Sequence, residues 1–252
     1  MASKTSKFKR KIAKLELDAS KSSQEAMKLQ KSALKKSADR IVSKIDELSN
    51  FAASNPLSFA IVAKRIDLAN LVKQEFDTLS LTQVSQLETL VSDIYSSTRV
   101  EIDSMLGNSF DLVSDFQTQE LLNRMDSKTI LSDRIWRNNN AMSDRINNDI
   151  GRMIYQQANP EDIKRLIMKD YNVSYNAADR LFRTESSTFF NTAAIDSYKA
   201  AGLTEFEFLA ESDACEEYCQ PNDGKIFSIE SLSSAPPLHP NCRCVVLPVI
   251  KD

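Results

Sequence analysis

CEEYCQPNDGKIFSIESLSSAPPLHPNCRC, residues 215–244, holds all four cysteines of a 252-residue chain and its only histidine. It also holds Pro221, Pro236, Pro237 and Pro240, in a chain with 7 prolines. Cys215 and Cys219 stand four apart, and His239, Cys242 and Cys244 follow after an insertion the size of a hairpin. Two ligand groups on separate turns joined by a β-ribbon have the layout of a structural zinc site. The flanking runs FEFLA (206–210), KIFSI (225–229) and CVVLPVI (244–250) read as short strands, with Asp223-Gly224 as a tight turn and Pro236-Pro237 as a helix stop. A unit this small buries too little apolar area to hold itself together, and a metal supplies the missing free energy.

Five donors, Cys215, Cys219, His239, Cys242 and Cys244, compete for the four places of a tetrahedral site, and spacing does not choose among them. Two disulfides are the alternative use of four cysteines, favoured if the chain works in an oxidising compartment; packing without metal is a third. A catalytic site is disfavoured by pattern. His239 is followed by Pro240-Asn241 rather than the x-E of a zinc deaminase, and one histidine cannot make H-E-x-x-H. Neither a phosphate-binding G-x-x-x-x-G-K-[ST] loop nor a G-x-S-x-G elbow occurs.

Working towards the N-terminus, the character is helical. SYNAADRLFRTESSTFFNTAAIDSYKAAG (174–202) reads as a helix closed by Gly202, preceded by a helix that Asn159-Pro160-Glu161-Asp162 opens and that ends near Tyr171. Ile135, Met142, Ile146, Ile150 and Met153 form the apolar face of a block starting near Ser132. Further back, Phe59, Val62, Ile66, Ala69, Val72 and Phe76 make one stripe, Ser80-Leu81-Thr82-Gln83 reads as a capping box, and a second stripe runs from Val84 to Met105 before Gly107. Residues 109–124 continue with Phe110, Val113, Phe116, Leu121 and Leu122. The fold expected is mainly helical α+β: a long helical body with a small zinc-stabilised β-knuckle at the C-terminus. Its parts are a basic arm at 1–40, a helical region at 41–128, a second helical part at 129–204 and the Cys/His knuckle at 205–252.

Charge divides the chain unevenly. Residues 1–40 carry twelve Lys and Arg against Glu16, Asp18, Glu25 and Asp39, a net of +8; with −3 overall, the remainder carries −11. Such an arm suits nucleic acid or an acidic protein surface; Lys7, Lys9, Arg10, Lys11 and Lys14 are the candidates for contact with nucleic acid, through phosphate rather than bases, since Phe8 is the arm's one aromatic residue. The plainer reading is a solvated helix or frayed tail without a partner. The N-terminus has no apolar core of a secretory signal, and no apolar run approaches membrane-spanning length, so a chain made and kept in a cytosol is expected.

The run RTESSTFFNTAAIDSYKAAG, an Asp just before the first Cys, then C…C…DGK and PPLHPNCRC resembles the phage head morphogenesis family of Mu F-type minor head proteins, over roughly residues 130–248. The residues matching that family's motif here are Arg183, Thr184 and Glu185, then Asp213, Cys215, Cys219, Gly224, Pro236, Pro237, His239, Pro240, Cys242, Arg243 and Cys244. Cys215 and Cys219 are spaced C-x3-C where C-x2-C is commoner in the family, which leaves the ligand geometry open. The resemblance implies a minor structural protein of a tailed-phage capsid rather than an enzyme, located in the virion near the portal vertex after assembly in the host cytoplasm. It implies the portal protein as partner, with scaffold, major capsid protein and DNA as further ones and no membrane. The competing readings are a zinc-containing nucleic-acid-binding module and a zinc-dependent enzyme acting on nucleic acid. Arg183 or Glu185 is expected to pair across to the knuckle.

Overall fold

The computed structural model describes residues 4–54, 59–107, 131–156 and 158–250. Within them lie four helices, α1 (Lys4–Ser54), α2 (Phe59–Leu106), α3 (Leu131–Tyr155) and α4 (Pro160–Ala200), and three strands, β1 (Glu205–Leu209), β2 (Ile226–Ser228) and β3 (Val245–Pro248). The strands form one antiparallel sheet in the order β2-β1-β3, with Phe206 opposite Phe227 and Phe208 opposite Val246. The expected class, a mainly helical α+β chain with a small C-terminal sheet carrying the cysteines, is what the chain adopts. The stripe at 109–124 lies outside the described residues.

Two elements are longer than their sequence patterns suggested. Helix α2 runs unbroken through Ser80, so no capping box forms there: the Ser80 hydroxyl donates back to Phe76 O at 2.8 Å and accepts the Asn139 amide at 2.9 Å. Gln83 does not reach back to a cap either, since its Oε1 accepts from Asn139 Nδ2 at 2.9 Å. Helix α4 continues through Tyr171–Ser174, where no Gly or Pro interrupts it, and Tyr171 is buried with its ring 5.3 Å from that of Phe76. The ends read from sequence hold. Asn159 Oδ1 accepts from Glu161 N at 3.0 Å to cap α4, and Pro160 takes the first helical position. At the other end Gly202, at φ +75°, donates to Lys199 O while Leu203 N reaches Tyr198 O, both at 2.9 Å, the paired bonds of a Schellman stop.

The chain divides into two compact units. The first comprises Met1–Ala26, Leu87–Arg124 and Asp179–Asp252, and so holds the start of α1, the end of α2, the end of α4 and the whole sheet. Its buried residues include Ile12, Val91, Ile94, Ile102, Phe182, Phe189, Phe190, Phe206, Phe208 and Val246. Lys9 Nζ reaches Glu207 Oε1 on β1 at 2.6 Å, and Lys11 Nζ reaches Glu101 Oε2 on α2 at 3.4 Å, so the basic N-terminal residues are helical and held to this unit. The second unit, Met27–Gln86 and Met125–Ala178, has one core drawn from four helical segments, among them Leu34, Ile41, Val72, Phe76, Ile146, Ile150, Ile167 and Tyr171. Polar pairs in this unit include Arg40, which holds Glu75 through Nε and Nη2, both at 2.5 Å, and the hydroxyls of Ser37 and Tyr171, which meet at 2.6 Å.

Candidate metal centre and the helix that clamps it

The cysteines converge because two tight turns face each other beside the sheet. In the first, Cys219 N and Gln220 N both donate to Cys215 O, at 3.2 and 3.0 Å, which sets Cys215 and Cys219 on one side of a single turn. The second closes with Cys242 N donating to His239 O at 3.2 Å, and Asn241 takes φ +64°, a left-handed conformation that Asn tolerates better than most side chains. Between them Gly224, at φ +70°, donates to Phe208 O at 2.8 Å and returns the chain into β2.

The donor atoms form two triads, Cys215–Cys219–His239 and Cys219–Cys242–Cys244, each with all its ligand atoms within 4.8 Å of one another. Cys219 belongs to both. Its Sγ lies 3.6 Å from Cys242 Sγ and 3.2 Å from His239 Nε2. Four ligands at zinc–sulfur and zinc–nitrogen bond lengths sit on a tetrahedron with edges of about 3.8 Å between sulfurs and about 3.6 Å from sulfur to nitrogen. The donors thus already stand close to the separations a tetrahedral ion imposes. A disulfide needs sulfurs about 2.05 Å apart, and all four cysteines are free thiols. His239 Nδ1 sits 2.9 Å from Pro240 O, a bond that fixes Nδ1 as the protonated nitrogen and turns the lone pair of Nε2 towards Cys219.

Electrostatics suit a cation. Hydrogen bonding from the Cys244 thiol holds Cys242 far below the ordinary thiol range, to about 5, while burial pushes Cys219 up to about 12 and the bond to Cys242 pushes Cys244 up. One thiolate solvated by neighbouring thiols is a group that exchanges protons for a metal ion. Cys219, Cys242 and Cys244 are buried, with Phe208 in the same cluster and Phe227, Leu238 and Ala214 packed against it. Four of the five residues are enough for a closed site with soft ligands, so the donor set fits zinc.

Helix α4 holds this segment at three points two helical turns apart. Thr184 Oγ1 accepts from Asn241 N at 3.1 Å. Seven residues on, Asn191 Nδ2 donates to Cys244 O at 3.1 Å and its Oδ1 accepts from Val246 N at 3.0 Å. Seven more, and the Tyr198 hydroxyl donates to Val246 O at 3.0 Å. A residue of a parallel neighbouring strand would bond the same carbonyl and the same amide, so the Asn191 side chain stands in for one on the outer edge of β3. Asn191 and Tyr198 escaped the sequence reading; the signal available was an Asn inside the apolar run TFFNTAAIDSY, seven residues from Thr184 and seven from Tyr198.

The remaining candidates are placed as follows. Arg183 Nε pairs with Asp179 Oδ2 at 3.0 Å, one turn back on its own helix, and the neighbouring Thr184 makes a link to the knuckle. Glu185 is buried. Arg243 Nη2 reaches both oxygens of Asp213, at 2.7 and 2.8 Å, tying the loop before Cys215 to the segment between Cys242 and Cys244. Lys7, Arg10, Lys11 and Lys14 are exposed on α1, and Lys9 is half-buried. No helix among the described residues is long and apolar enough to cross a membrane.

Comparison with known proteins adds one finding: residues 144–247 match the family model described as Phage Mu protein F like protein. No curated protein and no solved structure gives a significant match. The matched stretch runs from within α3 through α4, both cysteine turns and into β3, and therefore contains every metal donor and every point of the clamp. Over this stretch the chain carries a region similar to the Phage Mu protein F like family, which supports a protein of phage head morphogenesis type.

Proposed function

We propose that this protein is a minor structural component of a tailed-phage head, bound at the portal vertex and acting in packaging or delivery of DNA, with a zinc ion closing its C-terminal knuckle. The family match over 144–247 is the observation that carries the reading. The donor cluster supports the zinc assignment: Cys219 and three of the other four donors would hold the ion, which supplies a cross-link between two turns that share no strand pairing. A structural role for the metal, rather than an enzyme's, is supported by three buried thiols crowded against one another, which favours a closed tetrahedron over a site with an open position. In the head the chain would touch the portal protein, and scaffold or major capsid protein during assembly.

Native mass spectrometry of the chain co-expressed with the portal protein of the same phage, under reducing conditions, tests the proposal. The expected species is a portal complex carrying one zinc per chain. A chain that stays free of portal overturns the portal assignment, and a folded chain without metal overturns the zinc.

A further inference from the structure

In the second unit, the N-terminal part of α2 and the C-terminal part of α3 leave an open groove of about 330 Å³ between them. Ile66, Leu68, Ala69, Ile150 and Ile154 make it apolar, and Arg65 and Asn147 are its polar residues. Asn147 Nδ2 donates to Ala69 O at 3.3 Å and so serves the contact between the two helices. Arg65 has no such use. It is exposed and makes no hydrogen bond or ion pair among the described residues. Its neighbour Lys64, by contrast, lies 4.8 Å over the Phe51 ring, and Arg152 pairs with Asp149 at 2.8 Å. Apolar side chains stand open beside it: Ile66 is 57% exposed, and Tyr155, adjoining Ile154 at the end of α3, is 87% exposed, more than any other large apolar side chain described.

Gly151 completes the floor of the groove. The chain's other three glycines take positive φ, whereas Gly151 lies inside α3 with no such requirement. A Cβ there would meet Arg65 Nη2 at 3.5 Å, an ordinary contact, so packing within the chain does not forbid alanine. Glycine inside a helix is less stable than alanine, and what it provides here is depth.

We propose that this groove docks an amphipathic helix of the portal protein, with an apolar side chain seated over Gly151 and a carboxylate within a turn of it meeting Arg65. This rests on the portal reading above and gives it a surface. A helix laid along the groove between two others buries an apolar floor of this kind, ridge into groove. Closing over Arg65 also strips its water. A guanidinium covered without a partner opposes docking, so the occupant must carry an acid at that point.

The test is a titration of the full chain with the portal protein of the same phage, read by native mass spectrometry, for wild type, Arg65→Glu, Gly151→Leu and Gly151→Ala. Arg65→Glu is expected to weaken the complex on the order of tenfold or more, and Gly151→Leu to abolish it. Gly151→Ala should raise the melting temperature by about 2–4 °C and still weaken the complex, an outcome that damage to the fold cannot produce. A photoreactive benzoylphenylalanine in place of Tyr155 should cross-link a helical portal segment that carries an acid, and changing that acid to Lys should restore binding to Arg65→Glu. Variants that all bind the portal as wild type does would overturn the groove and leave the portal reading standing. A loss in Arg65→Glu that no acid-to-lysine change repairs would overturn the pairing with Arg65. A self-association of this chain that the same variants dissolve, with portal binding unchanged, would make a second copy the occupant and overturn the proposal. A wild-type chain that never joins the portal removes the portal reading and the proposal together.

Discussion

Replacing Asn191 by Leu removes one side chain and strands two backbone groups. The Asn191 amide is bonded to Cys244 O at 3.1 Å and Val246 N at 3.0 Å, and it is buried. Leucine is close in volume, so the change tests hydrogen bonding rather than a cavity. Each buried backbone group left unpaired costs about 1–3 kcal/mol. The expected penalty is thus about 2–6 kcal/mol, a large fraction of the stability of an ordinary domain. It should fall on β3, and hydrogen exchange at the Val246 amide reads it directly. That amide is expected to exchange on the order of 100-fold faster in the variant, the equivalent of about 3 kcal/mol. The chain's one tryptophan, Trp136, belongs to the other unit, so its fluorescence supplies an internal control for a variant that has simply lost its fold. A Val246 amide as protected in Asn191→Leu as in wild type would refute the idea that α4 completes the edge of β3.

Three further outcomes are expected. Cys219→Ser should be the most damaging single change in the donor set, because Cys219 is the one residue common to both triads; the zinc content after dialysis should drop to near zero, whereas Cys244→Ser or His239→Ala should each retain part of it. Asp213→Asn should cost no more than about 1 kcal/mol in urea unfolding, since the pair with Arg243 is exposed on both sides despite its short contacts. Burial, aided by the charges of Glu211 and Cys242 and opposed by Arg243, raises the Glu16 carboxyl from 4.5 to about 7. Between those two values the folded chain binds a proton that the unfolded chain has released, so this group's contribution to stability falls as pH rises through that window. Glu16→Gln should flatten the melting temperature across the window and raise it above pH 7.

The C-terminal fifth was legible because its residues are chemically rare and its turns are marked by Gly, Pro and Asn. Cysteine spacing pointed to a metal cluster, and alternating apolar runs gave all three strands to within a residue or two. The helical body was legible as helix but not in its lengths. Ser80-Leu81-Thr82-Gln83 has the residue types of a cap, and only the presence of Asn139 beside it shows that both polar side chains are used inside a buried helix–helix contact. The Tyr171–Ser174 stretch looked like a boundary because Val and Ser are indifferent helix formers, and packing of Tyr171 on Phe76 overrides so weak a preference. The roles of Thr184, Asn191 and Tyr198 depend on which strand lies beside them, and no local pattern carries that. The same holds for the ion pairs of Lys9 and Lys11, since the acids that engage them lie about 200 and 90 residues away in the chain.

The three contacts along α4 also govern where the chain tolerates a change of length. Between Asn241 and Val246 the backbone is gripped at positions fixed by the pitch of a helix, with two metal donors in the same span. One inserted residue there would throw both the grip and the donors out of step. The turn at Ser231–Ser233 bears no such constraint: it is exposed and lies beyond the last paired residue of β2. An epitope or fluorophore placed at Leu232 should therefore leave the knuckle intact and give a handle for counting copies of the protein in assembled particles.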